Sequence, residues 1–422
     1  MIEESPIIAK QRPRILYVSP YWPHRATCAS ELRALNVARA LRQIADVEVF
    51  VVGGEGKEDE WNASAEKEFR VAGSAGLSSR PNLGVLRKLR WALDPRSEYP
   101  HGCGADAESK ERLASLAGQF DLIWFCKLRT PNMFPRWKWN CSVADIDDVP
   151  SNFEESMLRS ARRLRERLNA RRRLYSWRRR DQLLGDRFTV LGVCSDADRK
   201  YLQKLGVTAP LHVIPNGFDR PTRTLKRQNS SPPRFGFIGI FDYEPNLGGI
   251  RWFAENCWPL VKAAVPDARL RLVGRYSDGP LKPAGPDVDG LGWVEAADEE
   301  ITTWSAMVVP VQVGAGTRGK IAQAFSLKCP IVSTDLGAYG YEPQDGREMY
   351  LANSAEDFAN ACIRTIREPV EAAAMAERAW QLFLEKWTWE AIRPCVWAAA
   401  ADCLRLSRGT GGKSSNQTRV EA

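Results

Sequence analysis

The chain has 422 residues, 44% of them hydrophobic, enough for two or three domains with sizeable cores. Its net charge of +8 is moderate and unevenly placed; ten cysteines are scattered without a CxxC pair, and there are three histidines. This composition argues against a disulfide framework or a metal cluster and for buried, reduced thiols. No apolar run reaches the length of a membrane span, and the opening MIEESPIIAKQRPRILYVSP lacks the apolar centre of a signal peptide, so a cytoplasmic protein is expected.

Strand and helix patterns alternate from the start. RILYVS at Arg14–Ser19 reads as a strand, and Ser30–Leu41 as a helix with a stripe of Leu32, Leu35, Val37, Ala38 and Leu41; Val47–Val52 is the next strand. This βαβ opening places the loop Tyr21–Ser30 at the carboxyl edge of the first strand, where open α/β sheets bind ligands. His24 sits in that loop and is a candidate acid/base or sugar-orienting side chain. Residues 53–110 show no clear period. Phe120–Cys126 is a buried strand, and Val143–Ile146 is a strand running into Asp147 and Asp148; with Asp145, these read as turn and cap chemistry rather than as a metal site.

The most basic stretch follows. Eleven arginines lie within Ser156–Arg180, interleaved with Met157, Leu158, Leu164, Leu168, Leu174, Tyr175 and Trp177 at helical spacing. A long helix or helix pair is expected, its basic face suited to an anionic membrane surface or to solvation with partial salt bridging. No nucleic-acid module accompanies it, and nucleic acid is not an expected partner. Arg187–Cys194 and Leu211–Ile214 are strands, Ser195 caps the helix Arg199–Leu205, and Pro215–Asp219 reads as a boundary turn.

A second alternation begins with the strand Arg234–Ile240, the loop Phe241–Asn246, the helix Leu247–Val265, and the strand Ala268–Val273 leading to Gly274 and Arg275. Val288–Val294 is a short strand region. Ala306–Val309 then runs through Gly314, Ala315, Gly316 and Thr317 into a helix carrying Arg318 and Lys320, and on to the strand Pro330–Ser333. Glycines let backbone amides approach a ligand, a helix start favours an anion, and two cations in a first helical turn oppose the helix dipole unless an anion is bound. A last helix follows Trp387–Glu390 to about Leu406. The fold class is α/β, with two Rossmann-like domains facing across a cleft. The first covers residues 1–219 and takes back the C-terminal helix 388–406; 220–233 is a linker, 234–387 the second domain, and 407–422 a disordered tail. No GxGxxG follows Arg14–Ser19, which argues against a dinucleotide-dependent oxidoreductase.

Several segments carry a family resemblance: RILYVSPYWP, VCSDADRKYL, VIPNGFD, DYEPNLGGIRWFAENCWPLVKAAVPDARLRLVG, GAGTRGKIAQAFSLKCPIVST, DGREMYLANSAEDFANA and the terminal WTWE. Together they cover most of Pro13–Ala400, and the chain resembles the two-domain glycosyltransferases of group 1, family 4, most of all their exopolysaccharide-associated branch. The resemblance implies transfer of a sugar, with retention, from a nucleotide-sugar to a polysaccharide or lipid-linked glycan, with no metal or cofactor. It implies a peripheral position at the inner face of a membrane. It also implies a donor site on the second domain, here Gly239, Asn246, Arg275, Val294, Gly314, Ala315, Gly316, Thr317 and Gln323; beside it, from the residues themselves, we assign His24 from the first domain and Arg318 and Lys320 at the glycine loop as catalytic side chains. The family's two signature glutamates fall on Ala315 and Gln323, and its usual basic pair after the first strand of the second domain on Ile240 and the Pro245–Asn246 region. Neither signature position is acidic here, which motivates the alternative of a weak or inactive nucleotide-sugar-binding relative working with a partner enzyme.

Overall fold

A computed structural model describes residues 12–24, 28–53, 68–79, 85–97, 103–134, 137–221, 226–228 and 230–411. The first domain is built on strands β1 (Arg14–Ser19), β2 (Asp46–Val52), β3 (Arg70–Ala75), β4 (Leu122–Cys126), β5 (Ser142–Ile146), β6 (Val190–Val193) and β7 (Leu211–Val213). They form one parallel sheet in the order β3-β2-β1-β4-β5-β6-β7. β4 and β5 are buried along their whole length, as strands covered by helices on both faces must be. The second domain repeats the plan with β8 (Arg234–Ile238), β9 (Arg269–Val273), β10 (Val288–Gly290), β11 (Ala306–Val309), β12 (Ile331–Ser333) and β13 (Tyr350–Leu351), in the order β10-β9-β8-β11-β12-β13. In each sheet the order reverses beside the first strand, and the crevice at that switch point is where such folds hold ligands.

The region 53–110, unpatterned in sequence, supplies edge structure. β3 joins β2 across a register shift at Val49/Phe50, Leu77–Ser79 pairs antiparallel with Cys103–Ala105, and Val85–Leu93 is a helix. The basic stretch is a helix pair, α2 (Pro150–Ser160) and α3 (Leu164–Gln182), which follows α1 (Ala29–Arg42) in the series of labelled helices.

Several boundaries differ from expectation: the strand expected over Arg187–Cys194 is confined to Val190–Val193 and that over Val288–Val294 to Val288–Gly290, and two helices change further. The helix expected over Leu247–Val265 starts earlier, as α5 (Glu244–Trp252) with Pro245 in its first turn; α4 is the Ser195-capped helix Asp196–Lys204. It then widens into a π-turn over Phe253–Cys257 just ahead of Pro259, which has no N–H to continue the ladder. The last helix, α7 (Trp389–Gly411), runs past Leu406, so the tail expected to begin at Ser407 is helical to Gly411; α6 is Gly319–Ser326. Trp389, Ile392, Val396, Ala399, Ala400 and Cys403 of α7 are buried in the core of the first domain, and the Trp397 indole donates to the Ala40 carbonyl at 2.8 Å. Among the described residues no helix is long and apolar enough to cross a membrane.

Candidate active site

The loop between β11 and α6 needs glycine twice. Gly314 and Gly316 have φ of +141° and +71°, and a Cβ on Gly316 would lie 1.9 Å from an Asp148 carboxylate oxygen. The first domain presses directly on this loop. The Gly314 amide donates to the Ser156 hydroxyl at 2.9 Å, the Ser160 hydroxyl donates to the Gln312 carbonyl at 3.2 Å, and Asn216 Nδ2 donates to Thr317 Oγ1 at 2.9 Å. The expectation that the Gly314 amide faces a phosphate is corrected here: α2 brings a hydroxyl to it. Ala315 is buried beside it.

Arg318 and Lys320 are both half-buried, and neither forms an ion pair within the described structure. Arg318 Nη1 donates to the carbonyls of Ala315, at 2.7 Å, and Gly316, while its Nη2 is buried without a partner. Burial lowers the guanidinium pKa, against the nearby charge of Asp148. Lys320 Nζ donates to Asn246 Oδ1 at 2.9 Å and lies 3.8 Å from the centre of the Phe237 ring. Burial first, and then the positive charge of Arg318, push its ammonium well below the ordinary lysine value. Gly239 completes this corner: a Cβ there would sit 2.8 Å from Asn246 Nδ2 and 3.2 Å from Lys320 Nζ. The structure thus brings together Gly239, Asn246, Arg318, Lys320 and the loop Gly314–Thr317 at the second sheet's switch point.

The other predicted residues lie around this corner in different ways. Gln323 Nε2 donates to Asp298 Oδ1 at 2.9 Å, so a carboxylate stands next to the position where the family has its second glutamate. The Arg275 side chain is exposed and lies against Tyr276, with its backbone carbonyl bonded to the Phe241 amide. Val294 packs at the edge of the second domain's core. His24 Nδ1 is 3.2 Å from the Trp22 carbonyl within its own loop.

The aspartates at the end of β5 do more than cap a turn, contrary to the sequence reading. Asp145 makes a buried ion pair with Arg33 of α1 at 2.6 Å, and Arg33 Nη1 also donates to the Pro215 carbonyl and to Asn216 Oδ1, both at 2.9 Å. Asp147 accepts from Lys127 at 2.8 Å and from Asn216 Nδ2 at 3.0 Å. Burial opposes its ionisation, but the charges of Lys127 and Arg33 and these hydrogen bonds outweigh it and hold Asp147 well below the usual carboxylate range. Asp148 has the opposite fate: although part of it reaches solvent, the protein crowded around its carboxyl and then the adjacent Asp147 charge push it up to about 7, with Arg318 and Lys127 pulling the other way. A second cross-domain cluster lies nearby, where the Tyr339 hydroxyl donates to Asp198 at 2.9 Å and Asn152 Nδ2 donates to the Tyr339 oxygen at 2.9 Å. Sequence reading missed Ser156, Asn216, Asp148 and Asp298; the PNG turn was the one signal available, and it read as a boundary.

Comparison with known proteins places these observations. Residues 232–368 match the family model described as "Glycosyl transferases group 1". A curated relative, the "Uncharacterized 44.6 kDa protein in cps region" of Klebsiella pneumoniae, is 28% identical over 137 residues, 30% of this chain and 35% of the relative. The match therefore spans about a third of that relative's length. Among solved structures, the chain is similar to Anabaena HepE in complex with UDP and glucose, with a TM-score of 0.62 at 15% identity over 92% of this chain and 99% of that one. It is likewise similar to sucrose-phosphate synthase from Thermosynechococcus elongatus, with a TM-score of 0.65 at 14% identity over 96% and 100% of the two chains. At such identities the likeness is one of fold: two Rossmann-like domains in the GT-B arrangement.

Proposed function

With its second domain belonging to the group 1 glycosyl transferases over residues 232–368, we propose that this protein transfers a sugar from a nucleotide-sugar to a polysaccharide or lipid-linked glycan, with retention of configuration. One observation carries the reading. Arg318 and Lys320 are both half-buried, the charge of Arg318 weakens the hold of Lys320 on its proton, and neither has a carboxylate partner at hydrogen-bonding distance. Two partly desolvated cations without an anion are costly, and a diphosphate between them and the glycine loop relieves that cost. As the bond from the anomeric carbon to the diphosphate breaks, charge grows on the departing oxygen, and preplaced cations stabilise it. The acceptor oxygen forms the new bond, and its proton passes to the departing diphosphate. Asn246 holds Lys320 in place; Asp298, oriented by Gln323, accepts from the ribose hydroxyls; His24 approaches the sugar from the first domain. No metal or cofactor enters this scheme.

The membrane-facing part of the reading rests on two helices of the first domain. On α3, Leu164 and Leu168 are exposed among Arg165, Arg167, Arg171 and Arg172, and on the neighbouring helix Leu86, Leu89 and Leu93 are exposed at one-face spacing. Other arginines of the stretch are paired: Arg173 with Glu154 and Arg178 with Glu155, both at 2.8 Å. Leucines set in a cationic face fit the headgroup layer of an anionic bilayer.

The alternative, a nucleotide-sugar-binding protein without turnover, is favoured by Ala315, which places no polar side chain where the family has a glutamate. Calorimetry with UDP, GDP and their sugar conjugates decides. The wild type is expected to bind one nucleotide, Arg318→Ala/Lys320→Ala to lose about a hundredfold or more, and Asp298→Ala about tenfold. Binding without release of nucleotide in the presence of polysaccharide acceptors would select the alternative, and no binding by a folded wild type would sink both.

A further inference from the structure

A cavity in the first domain has no residue of the glycine loop in its wall. It opens between the helix Val85–Leu93, the segment after β4 and the end of α3, and is walled by Trp91, Trp137, Trp177, Asn132, Asp181 and Arg187 among others. Trp91 and Trp177 stand edge to face at 5.7 Å, and the guanidinium groups of Arg180 and Arg187 lie over the rings of Trp91 and Trp137 at 4.8 and 5.2 Å. The aromatic walls are therefore fixed in orientation.

The polar groups of this cavity select the kind of ligand. Both guanidinium groups are committed to neutral oxygens. Arg180 donates to the carbonyls of Trp91, at 2.7 Å, Asp94, at 3.0 Å, and Pro95, while Arg187 donates to the carbonyls of Pro131 and Trp137, both at 3.2 Å, and to Asn132 Oδ1. An anion entering here would meet the Asp181 carboxyl as well as two guanidinium groups that already give most of their N–H groups to carbonyls. Asp181 is 1% exposed; its Oδ2 accepts from the Ser151 amide at 2.9 Å, and its Oδ1 is buried without a partner. Burial pushes its carboxyl up to about 7, so near neutral pH the free Oδ1 donates a hydrogen bond where it carries the proton and accepts one where it does not. Asn132 has turned its oxygen to Arg187, which leaves its amide nitrogen as a donor. One free carboxyl oxygen, one amide donor and three indole surfaces remain.

We infer that this cavity binds an uncharged, hydroxyl-bearing sugar ring of the acceptor, with Asp181 Oδ1 hydrogen-bonded to one hydroxyl, Asn132 donating to another, and tryptophan surfaces covering the ring's C–H groups. That the ring belongs to an acceptor rests on the transfer reaction proposed above; that the cavity takes a sugar does not. The position suits the assignment, because the cavity lies beneath the same two helices that carry the exposed leucines and arginines.

Saturation-transfer NMR on the full chain tests it, with methyl glycosides of glucose, galactose, mannose and rhamnose as probes, and with inorganic phosphate and UDP run separately. At least one glycoside is expected to bind, with affinity about tenfold weaker in Asp181→Asn, which replaces the free carboxyl oxygen with an amide group that can no longer both donate and accept there, and in Trp177→Ala, but kept within about threefold in Trp177→Phe. UDP affinity is expected to be the same in all three variants. Absence of transfer to every glycoside, equal binding by the wild type and the folded variants, or displacement of the glycoside by phosphate would each overturn the inference. Glycoside binding without UDP binding would instead remove the donor reading and leave this one standing.

Discussion

A carboxyl group that loses water and faces another carboxylate keeps its proton to higher pH, and Asp148 does so at the seam where β5 meets the glycine loop. Its value of about 7 stands above the ordinary carboxylate value, so between about pH 4 and pH 7 the unfolded chain has lost a proton that the folded chain keeps. On this account stability falls as pH rises through that window and is level above it. Asp148→Asn is expected to show a smaller fall in Tm between pH 5 and pH 7.5 than the wild type, and adding Asp181→Asn, at the other carboxyl raised to about 7, to reduce it further. Identical slopes in all three proteins would clear both aspartates of the effect. This scale is also where sequence reading reached its limit. Arg318, Lys320 and the loop Gly314–Thr317 were legible because their spacing is local: a strand end, two glycines and a helix start. Asp148, Asn216 and Ser156 were not, because their partners come from the other domain; Ser156 and Gly314 are 158 residues apart. The Arg33–Asp145 pair, 112 residues apart, was likewise hidden under a helix pattern in which arginine reads as a surface residue.

Among the elements, α7 shows how a local pattern can carry a remote consequence. Its apolar residues marked a helix, and the resemblance placed it on the first domain. What the sequence did not reveal is how much of the first core it supplies: Trp389, Ile392, Val396 and Ala399 are 4% exposed or less. Its Asp402 also meets His212 of β7 at 3.2 Å. Truncation after Thr388 removes several buried side chains, each contributing on the order of 1.5–3 kcal/mol, more than a domain's typical margin. The truncated chain is expected to lose the first domain's cooperative transition in calorimetry while the second domain still melts. A single undiminished transition would show that α7 packs without supporting the core. The π-turn before Pro259 and β3 within residues 70–75 escaped the sequence for a simpler reason. A widened turn leaves the helical period nearly intact, and a strand of Gly, Ser and Ala has no period to read.

At the level of the whole molecule, the two sheets were foreseeable because strands and helices alternate twice, and the GT-B arrangement was what the family resemblance implied. The surface charge was visible in the sequence as well, but not its geometry. Eleven arginines in one stretch resolve into some that pair with Glu154, Glu155 or Glu166 and others that stay exposed beside leucines of two helices. Cosedimentation with vesicles reads the consequence. The protein is expected to pellet with phosphatidylglycerol vesicles and not with phosphatidylcholine alone, to be released by salt, and to lose most of its binding in Leu86→Ser/Leu89→Ser/Leu164→Ser. Equal partition onto both lipids, or a triple variant that binds as the wild type does, would assign these helices to solvent.

The seam also contains a built-in clock. Cys194 is 1% exposed, with its sulfur 3.5 Å from Asp147 Oδ1 and from Asn216 Nδ2, and it is close enough to Tyr341 of the second domain to act on that phenol's ionisation. Burial holds its thiol well above the ordinary cysteine value, so in the closed molecule it is chemically silent. Cys257 and Cys362, by contrast, lie in the second domain's own core and react only when that core opens. A thiol reagent therefore times two events in one sample: modification of Cys194 follows the parting of the domains, and modification of Cys257 and Cys362 follows unfolding. A donor nucleotide that clamps the domains together slows the first and, well below the melting temperature, has far less effect on the second.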